Sequence, residues 1–110
     1  MRGAPTLSIK RGGTLLLQCQ LQSLRVGVPV HGWQIDCWLR NSGGRQVAAL
    51  AVAITDAASG CFELRATPEQ TQGWPAGLLQ ADIRYQDSTG RVMHSTTFTL
   101  CVLDAVTTPA

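Results

Sequence analysis

Residues 32–40 read Gly-Trp-Gln-Ile-Asp-Cys-Trp-Leu-Arg, and Asn-Ser-Gly-Gly follows at residues 41–44. Alternate positions of this stretch are apolar and share one face of an extended chain: Trp33, Ile35, Cys37 and Leu39. The opposite face carries Gln34, Asp36 and Trp38. A period of two is typical of a β-strand with one buried face, and the glycine pair predicts a hairpin turn after it.

The same alternation of strand-like segments and turn residues continues in both directions. We predict strands at residues 6–10, 14–22, 32–40, 45–55, 61–67, 78–86 and 91–103. A single helical turn fits between Pro68 and Pro75. Strands of this length and spacing predict an all-β fold, an immunoglobulin-like antiparallel sandwich of about seven strands.

Two segments leave alternatives open. Residues 47–54 are apolar on both faces, which predicts a central strand or one covered by a partner, whereas their four alanines keep a helix as the alternative. Residues 23–29 form a predicted loop with Gly27 and Pro29 as breakers, and a short strand fits within it.

The chain length of 110 residues predicts one domain. We place an immunoglobulin-like sandwich at residues 6–104, an N-terminal arm at 1–5 and a C-terminal tail at 105–110. The net charge of +2 is small and its cations are scattered, so we predict neither a nucleic-acid nor a membrane partner. Without an apolar signal segment, we expect the protein to be made and kept in the cytoplasm unless a larger assembly carries it out.

The four cysteines stand too far apart for a Cys-x-x-Cys metal or redox motif: Cys19, Cys37, Cys61 and Cys101. We interpret them as reduced, small apolar side chains, with a disulfide formed in an oxidising medium as the alternative. The disulfide of antibody domains is excluded, because predicted strand 78–86 contains no cysteine.

Catalytic chemistry would depend on two histidines, His31 and His94, beside a carboxylate such as Asp36 or Asp82. No nucleophile elbow, phosphate loop or zinc-protease motif occurs in the sequence. We therefore predict a protein that is not an enzyme, with no catalytic residues, no metal and no cofactor.

Three apolar side chains are candidates for a protein interface: Trp38, Trp74 and Leu103. Large aromatic groups on polar surfaces are favoured at such interfaces. Trp38 faces outward in its strand, with burial under a loop as the alternative, and Leu103 ends the last strand. Trp74, at the Gly-Trp-Pro-Ala-Gly corner of residues 73–77, has a second interpretation as a lid over the open end of the sandwich.

Four stretches carry a family resemblance. They are Ile-Lys-Arg-Gly-Gly-Thr at 9–14, Val-Pro-Val-His-Gly-Trp-Gln-Ile at 28–35, Gly-Cys-Phe-Glu-Leu at 60–64, and residues 71–85 with Trp-Pro-Ala-Gly followed by Ala-Asp-Ile. In this order they resemble small immunoglobulin-like bacteriophage virion proteins and the N-terminal domains of phage baseplate and tail components. His31 and the four cysteines depart from that pattern.

The resemblance implies a virion structural protein, present in multiple copies and bound to capsid, neck, tail or baseplate subunits through a sheet face and edge strands. It leaves open whether the protein decorates a capsid or belongs to a tail. The alternative is a host-facing module that binds a glycan or receptor through the loops at 23–29 and 68–75, with Trp74 as an exposed stacking surface.

Overall fold

The computed structural model describes residues 6–108. Its strands are β1 (Thr6–Lys10), β2 (Leu15–Gln20), β3 (Gln22–Ser23), β4 (Val26–Gly27), β5 (Gln34–Arg40), β6 (Gln46–Ala49), β7 (Ala51–Asp56), β8 (Cys61–Ala66), β9 (Gly77–Gln86), β10 (Val92–His94) and β11 (Phe98–Leu103). A 3₁₀ turn spans Ala57–Ser59, and helix α1 spans Pro68–Gln72. The predicted arm at 1–5 and the end of the predicted tail, 109–110, lie outside the described residues.

Two sheets pack face to face. The large sheet has the strand order β1-β11-β9-β5-β6, with β10 also paired to β9, and the small sheet has the order β2-β8-β7. All pairs within them are antiparallel except β1 with β11, which is parallel. The predicted all-β, immunoglobulin-like sandwich is confirmed, with its first strand joined to the edge of the large sheet.

The core lies between the inner faces of the two sheets. The predicted inward side chains of β5, β8 and β9 are buried there: Ile35, Cys37, Leu39, Phe62, Leu64, Ala66, Leu79, Ala81, Ile83 and Tyr85. Phe62 from the small sheet meets Tyr85 from the large sheet edge to face, with ring centroids 5.9 Å apart. The period of two therefore identified these inner faces correctly.

The prediction of one strand at residues 45–55, central or covered by a partner, was wrong about the single strand and about the central position. They form two strands, β6 in the large sheet and β7 in the small sheet, and each lies at an edge. The chain crosses between the sheets at Leu50, which is buried and whose backbone N–H donates to the Cys37 carbonyl over 2.9 Å. Because β6 packs on the core from the large sheet and β7 packs on it from the small sheet, the segment is apolar on both faces although neither strand is central in its sheet. The helix alternative is also wrong.

The last predicted strand is likewise divided, into β10 and β11, although both parts pair with β9. Ser95 occupies the break: its hydroxyl accepts from the Ile83 N–H over 2.8 Å, and its own N–H donates to the Ile83 carbonyl over 2.8 Å. A side-chain hydroxyl thus replaces one ladder partner and lets the strand bend.

A small hairpin, β3–β4, begins at Gln22, the last residue of the predicted strand 14–22, and continues through the predicted loop of residues 23–29, where it confirms that a short strand fits. It packs against the turn before β8. A Cβ atom on Gly60 would overlap the carbonyl oxygens of Leu21 and Val28, and one on Gly27 would overlap the Ser59 carbonyl. Only glycine allows backbones to approach so closely.

The predicted helical turn is confirmed as α1. Thr67 caps it, because its hydroxyl accepts from the Gln70 N–H while the Gln70 side chain accepts from the Thr67 N–H, and Pro68 occupies the first turn.

Candidate functional site

The outer face of the large sheet carries a shallow concavity of about 710 Å³. Outward side chains of β5 and β9 form its floor, and we call it the Trp38 face: Asp36, Trp38, Arg40, Gln80, Asp82 and Arg84. The register sets these groups in rows across the two strands, with Asp36 opposite Arg84, Trp38 opposite Asp82 and Arg40 opposite Gln80. Alternation in the sequence predicts their outward direction, and strand pairing brings them together.

Trp38 is the centre of this face and is 45% exposed. The Arg40 guanidinium lies 5.4 Å from the indole centroid, within cation–π range. That guanidinium also donates to the Gly44 carbonyl over 2.9 Å. The turn is itself braced, since the Asn41 carboxamide oxygen accepts from the backbone N–H groups of Gly43 and Arg45 at 3.0 Å each. The turn at residues 41–45, which borders the Trp38 face, is therefore held in place by its own hydrogen bonds.

The charges of the Trp38 face cancel. Two carboxylates, Asp36 and Asp82, stand with two guanidinium groups, Arg40 and Arg84, and the Arg84–Asp36 pair is 3.8 Å apart. Gln34 also donates to Asp36 over 3.1 Å. Among the hydrogen bonds and ion pairs of residues 6–108, none engages the side chain of Asp82. The face thus presents an acceptor beside an exposed indole.

The second surface feature is the pair of open sheet edges at β6 and β7. Within residues 6–108, β6 pairs only with β5 and β7 only with β8, so the outer backbone groups of both strands lack strand partners. The stretch from 47 to 55 contains no charged residue, and Ile54 is 42% exposed. Natural edge strands are usually protected by charges, bulges or short length. These edges have bulges and are short, but no charged residue lies between Arg45 and Asp56 to protect them.

The three predicted interface residues lie apart. Trp38 is on the outer face of β5, whereas Leu103 ends β11, opposite Lys10 of β1, and is 44% exposed. Strand β9 separates the two. Trp74 is only 4% exposed and belongs to the core, so it offers no stacking surface.

The position of Trp74 follows from its neighbour in α1. Thr71 is completely buried, and its hydroxyl accepts from the Gly12 N–H over 3.0 Å and donates to the Gly13 carbonyl over 2.7 Å. The Trp74 N–H in turn donates to the Thr71 carbonyl over 3.1 Å. This ties the corner of residues 73–77 to the turn between β1 and β2.

Sequence reasoning missed two exposed apolar side chains at the β3–β4 hairpin. Leu24 is 95% exposed and Val26 67% exposed. Leu24 and Arg25 adopt left-handed backbone conformations, with φ of 52° and 68°. Residues other than glycine and asparagine rarely adopt this conformation. The only sequence signal was an apolar pair within a predicted loop.

The histidines and cysteines do not converge on a reactive centre. His94 lies opposite Arg84 in the register, not opposite a carboxylate, and His31 lies in the exposed turn before β5. All four cysteines are free thiols, and burial raises the pKa of Cys37 to about 12 and also raises that of Cys19. Across residues 6–108 no three metal-binding side chains cluster, and no helix is long and apolar enough to cross a membrane.

Neither a protein-family model nor a curated protein matches the chain. Its fold is similar to that of many solved structures, among them the two that follow. The N-terminal domain of phage TP901-1 ORF48 superposes with a TM-score of 0.60 at 17% identity, over 93% of this chain and 86% of that one. CopC from Methylosinus trichosporium OB3b superposes with a TM-score of 0.58 at 11% identity, over 96% of this chain and 91% of that one. At such low identities the likeness describes the fold alone.

Proposed function

We propose that this chain is a non-enzymatic structural protein of a bacteriophage particle, present in several copies and joined to capsid, neck, tail or baseplate subunits. The observation that carries the proposal is the pair of open edges at β6 and β7, which carry no charged residue from position 47 to position 55. The sequence resemblance to phage virion proteins and the shared fold with a phage N-terminal domain support it.

Assembly through these edges would use β-augmentation. A strand from a neighbouring subunit pairs with the free N–H and C=O groups, which supply affinity, while side chains on alternate positions supply specificity. The exposed Ile54 adds apolar area at the rim of the core. A surface with few charges suits this use, because charged residues are depleted at the centres of protein interfaces.

Two measurements test the proposal. Mass spectrometry of purified particles should detect the protein at a fixed number of copies per virion, and gold labelling should place it on the head, neck or tail. Absence from purified virions overturns the structural role.

An edge variant then tests the route of assembly. Ala51→Glu puts a carboxylate on the β7 edge, where it lies opposite Arg65 of β8, so the fold should persist while incorporation into particles falls. Leu16→Glu is the matched control: it lies opposite the same arginine but on β2, at the far edge of the small sheet. Equal incorporation of the two variants would refute assembly through β7.

A further inference from the structure

The geometry points to a binding site for a neutral saccharide on the Trp38 face, a role separate from incorporation into a particle. A sugar ring presents an apolar C–H face and a rim of hydroxyl groups. A protein site for it therefore needs an exposed aromatic ring beside planar side chains that donate and accept hydrogen bonds. The Trp38 face combines these elements in a concavity of about 710 Å³, which is within the range of small-ligand sites.

The aromatic platform is in position without a ligand. Trp38 is 45% exposed on a strand at the interior of the large sheet, so its backbone is held from both sides by β6 and β9. Arg40 lies over the ring and is anchored to Gly44, which limits the movement of both side chains. Little conformational entropy remains to be lost when a ring stacks against the indole.

The polar groups around the indole match hydroxyl groups. Asp82 stands directly opposite Trp38 and makes no side-chain hydrogen bond or ion pair with the described residues, so its oxygens are available as acceptors. Gln80 lies opposite Arg40, and its side-chain amide offers both a donor and an acceptor. This amide likewise makes no hydrogen bond within residues 6–108. Asp36 and Arg84 already engage each other, which leaves them fewer free positions.

The charge balance selects the ligand class. Two carboxylates and two guanidinium groups sum to zero formal charge, so the face provides no net attraction for a phosphate, a polyanion or a polycation. A neutral ligand with many hydroxyl groups satisfies these acceptors and donors without burying an unpaired charge.

The test uses the full chain and three neutral probes: maltotriose, xylotriose and N,N′,N″-triacetylchitotriose. Amide and indole N–H signals are followed by ¹⁵N NMR during titration to 20 mM. We expect at least one probe to bind with a Kd on the order of 1 mM. Its shifts should centre on the Trp38 indole and on neighbouring positions of β5 and β9.

Variants separate this site from other surfaces. Trp38→Ala should weaken binding at least about tenfold, whereas Trp38→Phe should retain part of it because a ring remains. Asp82→Ala should weaken binding while the fold is kept. Leu78→Ala is the control, since Leu78 is 61% exposed on the same face of β9 but outside the concavity.

Three outcomes would overturn the inference. They are the absence of shifts with every probe at 20 mM, binding that Trp38→Ala does not change, and shifts confined to the loops at 23–29 and 68–75. None of these bears on whether the protein is found in virions, so the two proposals fail independently.

Discussion

Replacing Thr71 by valine should loosen the corner that holds Trp74 in the core. The two side chains have nearly the same shape, so the change removes a hydroxyl without opening a large cavity. That hydroxyl is fully buried, accepts from the Gly12 N–H over 3.0 Å and donates to the Gly13 carbonyl over 2.7 Å. Thr71→Val breaks both of these hydrogen bonds between α1 and the turn that precedes β2, whereas the Arg11 guanidinium of that turn still donates to the Gln72 carbonyl.

The size of the effect follows from these two bonds. Each contributes about 1 kcal/mol net, and leaving the half-buried Gly13 carbonyl without a partner costs about 1 kcal/mol more. We therefore expect Thr71→Val to lower the free energy of unfolding by about 3 kcal/mol and Tm by about 13 °C. Thr71→Ser, which keeps the hydroxyl and loses one methyl group, should cost about 1 kcal/mol.

Urea unfolding, followed by tryptophan fluorescence and by far-UV circular dichroism, measures both variants. The midpoint should fall while the slope with urea concentration stays constant, as expected when only stability changes. The reasoning is refuted if Thr71→Val is as stable as Thr71→Ser, because replacing the hydroxyl would then cost no more than losing one methyl group.

Three further predictions concern backbone and titration. Gly60→Ala should cost at least about 3 kcal/mol in urea unfolding because its Cβ overlaps two carbonyl oxygens, whereas Gly90→Ala, at φ of 92° with open space around it, should cost about 1–2 kcal/mol. Burial raises the pKa of the Cys37 thiol from 9.0 to about 12, so this thiol ionises at lower pH in the unfolded chain than in the folded one. The free energy of unfolding should therefore fall between pH 9 and pH 12, by up to about 1.4 kcal/mol per pH unit. A smaller fall in Cys37→Val confirms the cause. Leu24→Asn with Arg25→Gly should stabilise the domain by about 1–2 kcal/mol in thermal unfolding, and a loss would contradict the left-handed turn.

The candidate surfaces were only partly predictable from the sequence. Alternation alone assigned Trp38 to an outer face, because neighbouring side chains in a strand point in opposite directions. It could not show that Asp82 lies opposite Trp38, since that pairing depends on the register of β5 with β9 across a long connection. For Trp74 the sequence favoured a lid over an exposed surface, and only its packing showed that it is buried.

The edges at β6 and β7 show the same division most clearly. The apolar run at 47–54 predicts one buried strand. Local composition indicates that a segment is buried, but it does not indicate in which sheet each part of the segment lies. Tertiary structure places the sheet crossing at Leu50 and turns one predicted strand, central or covered by a partner, into two edge strands.

The sequence by itself therefore determined the fold class, the inner faces of β5, β8 and β9, the hairpin turn after β5 and the capped helical turn. These features depend on side-chain period, turn residues and capping, all of which are local. Strand order, the parallel β1–β11 pair, the sheet crossing and the groups that meet on the Trp38 face depend on contacts between distant segments. Only the packed structure decides those, because many arrangements of the same strands bury the same apolar faces.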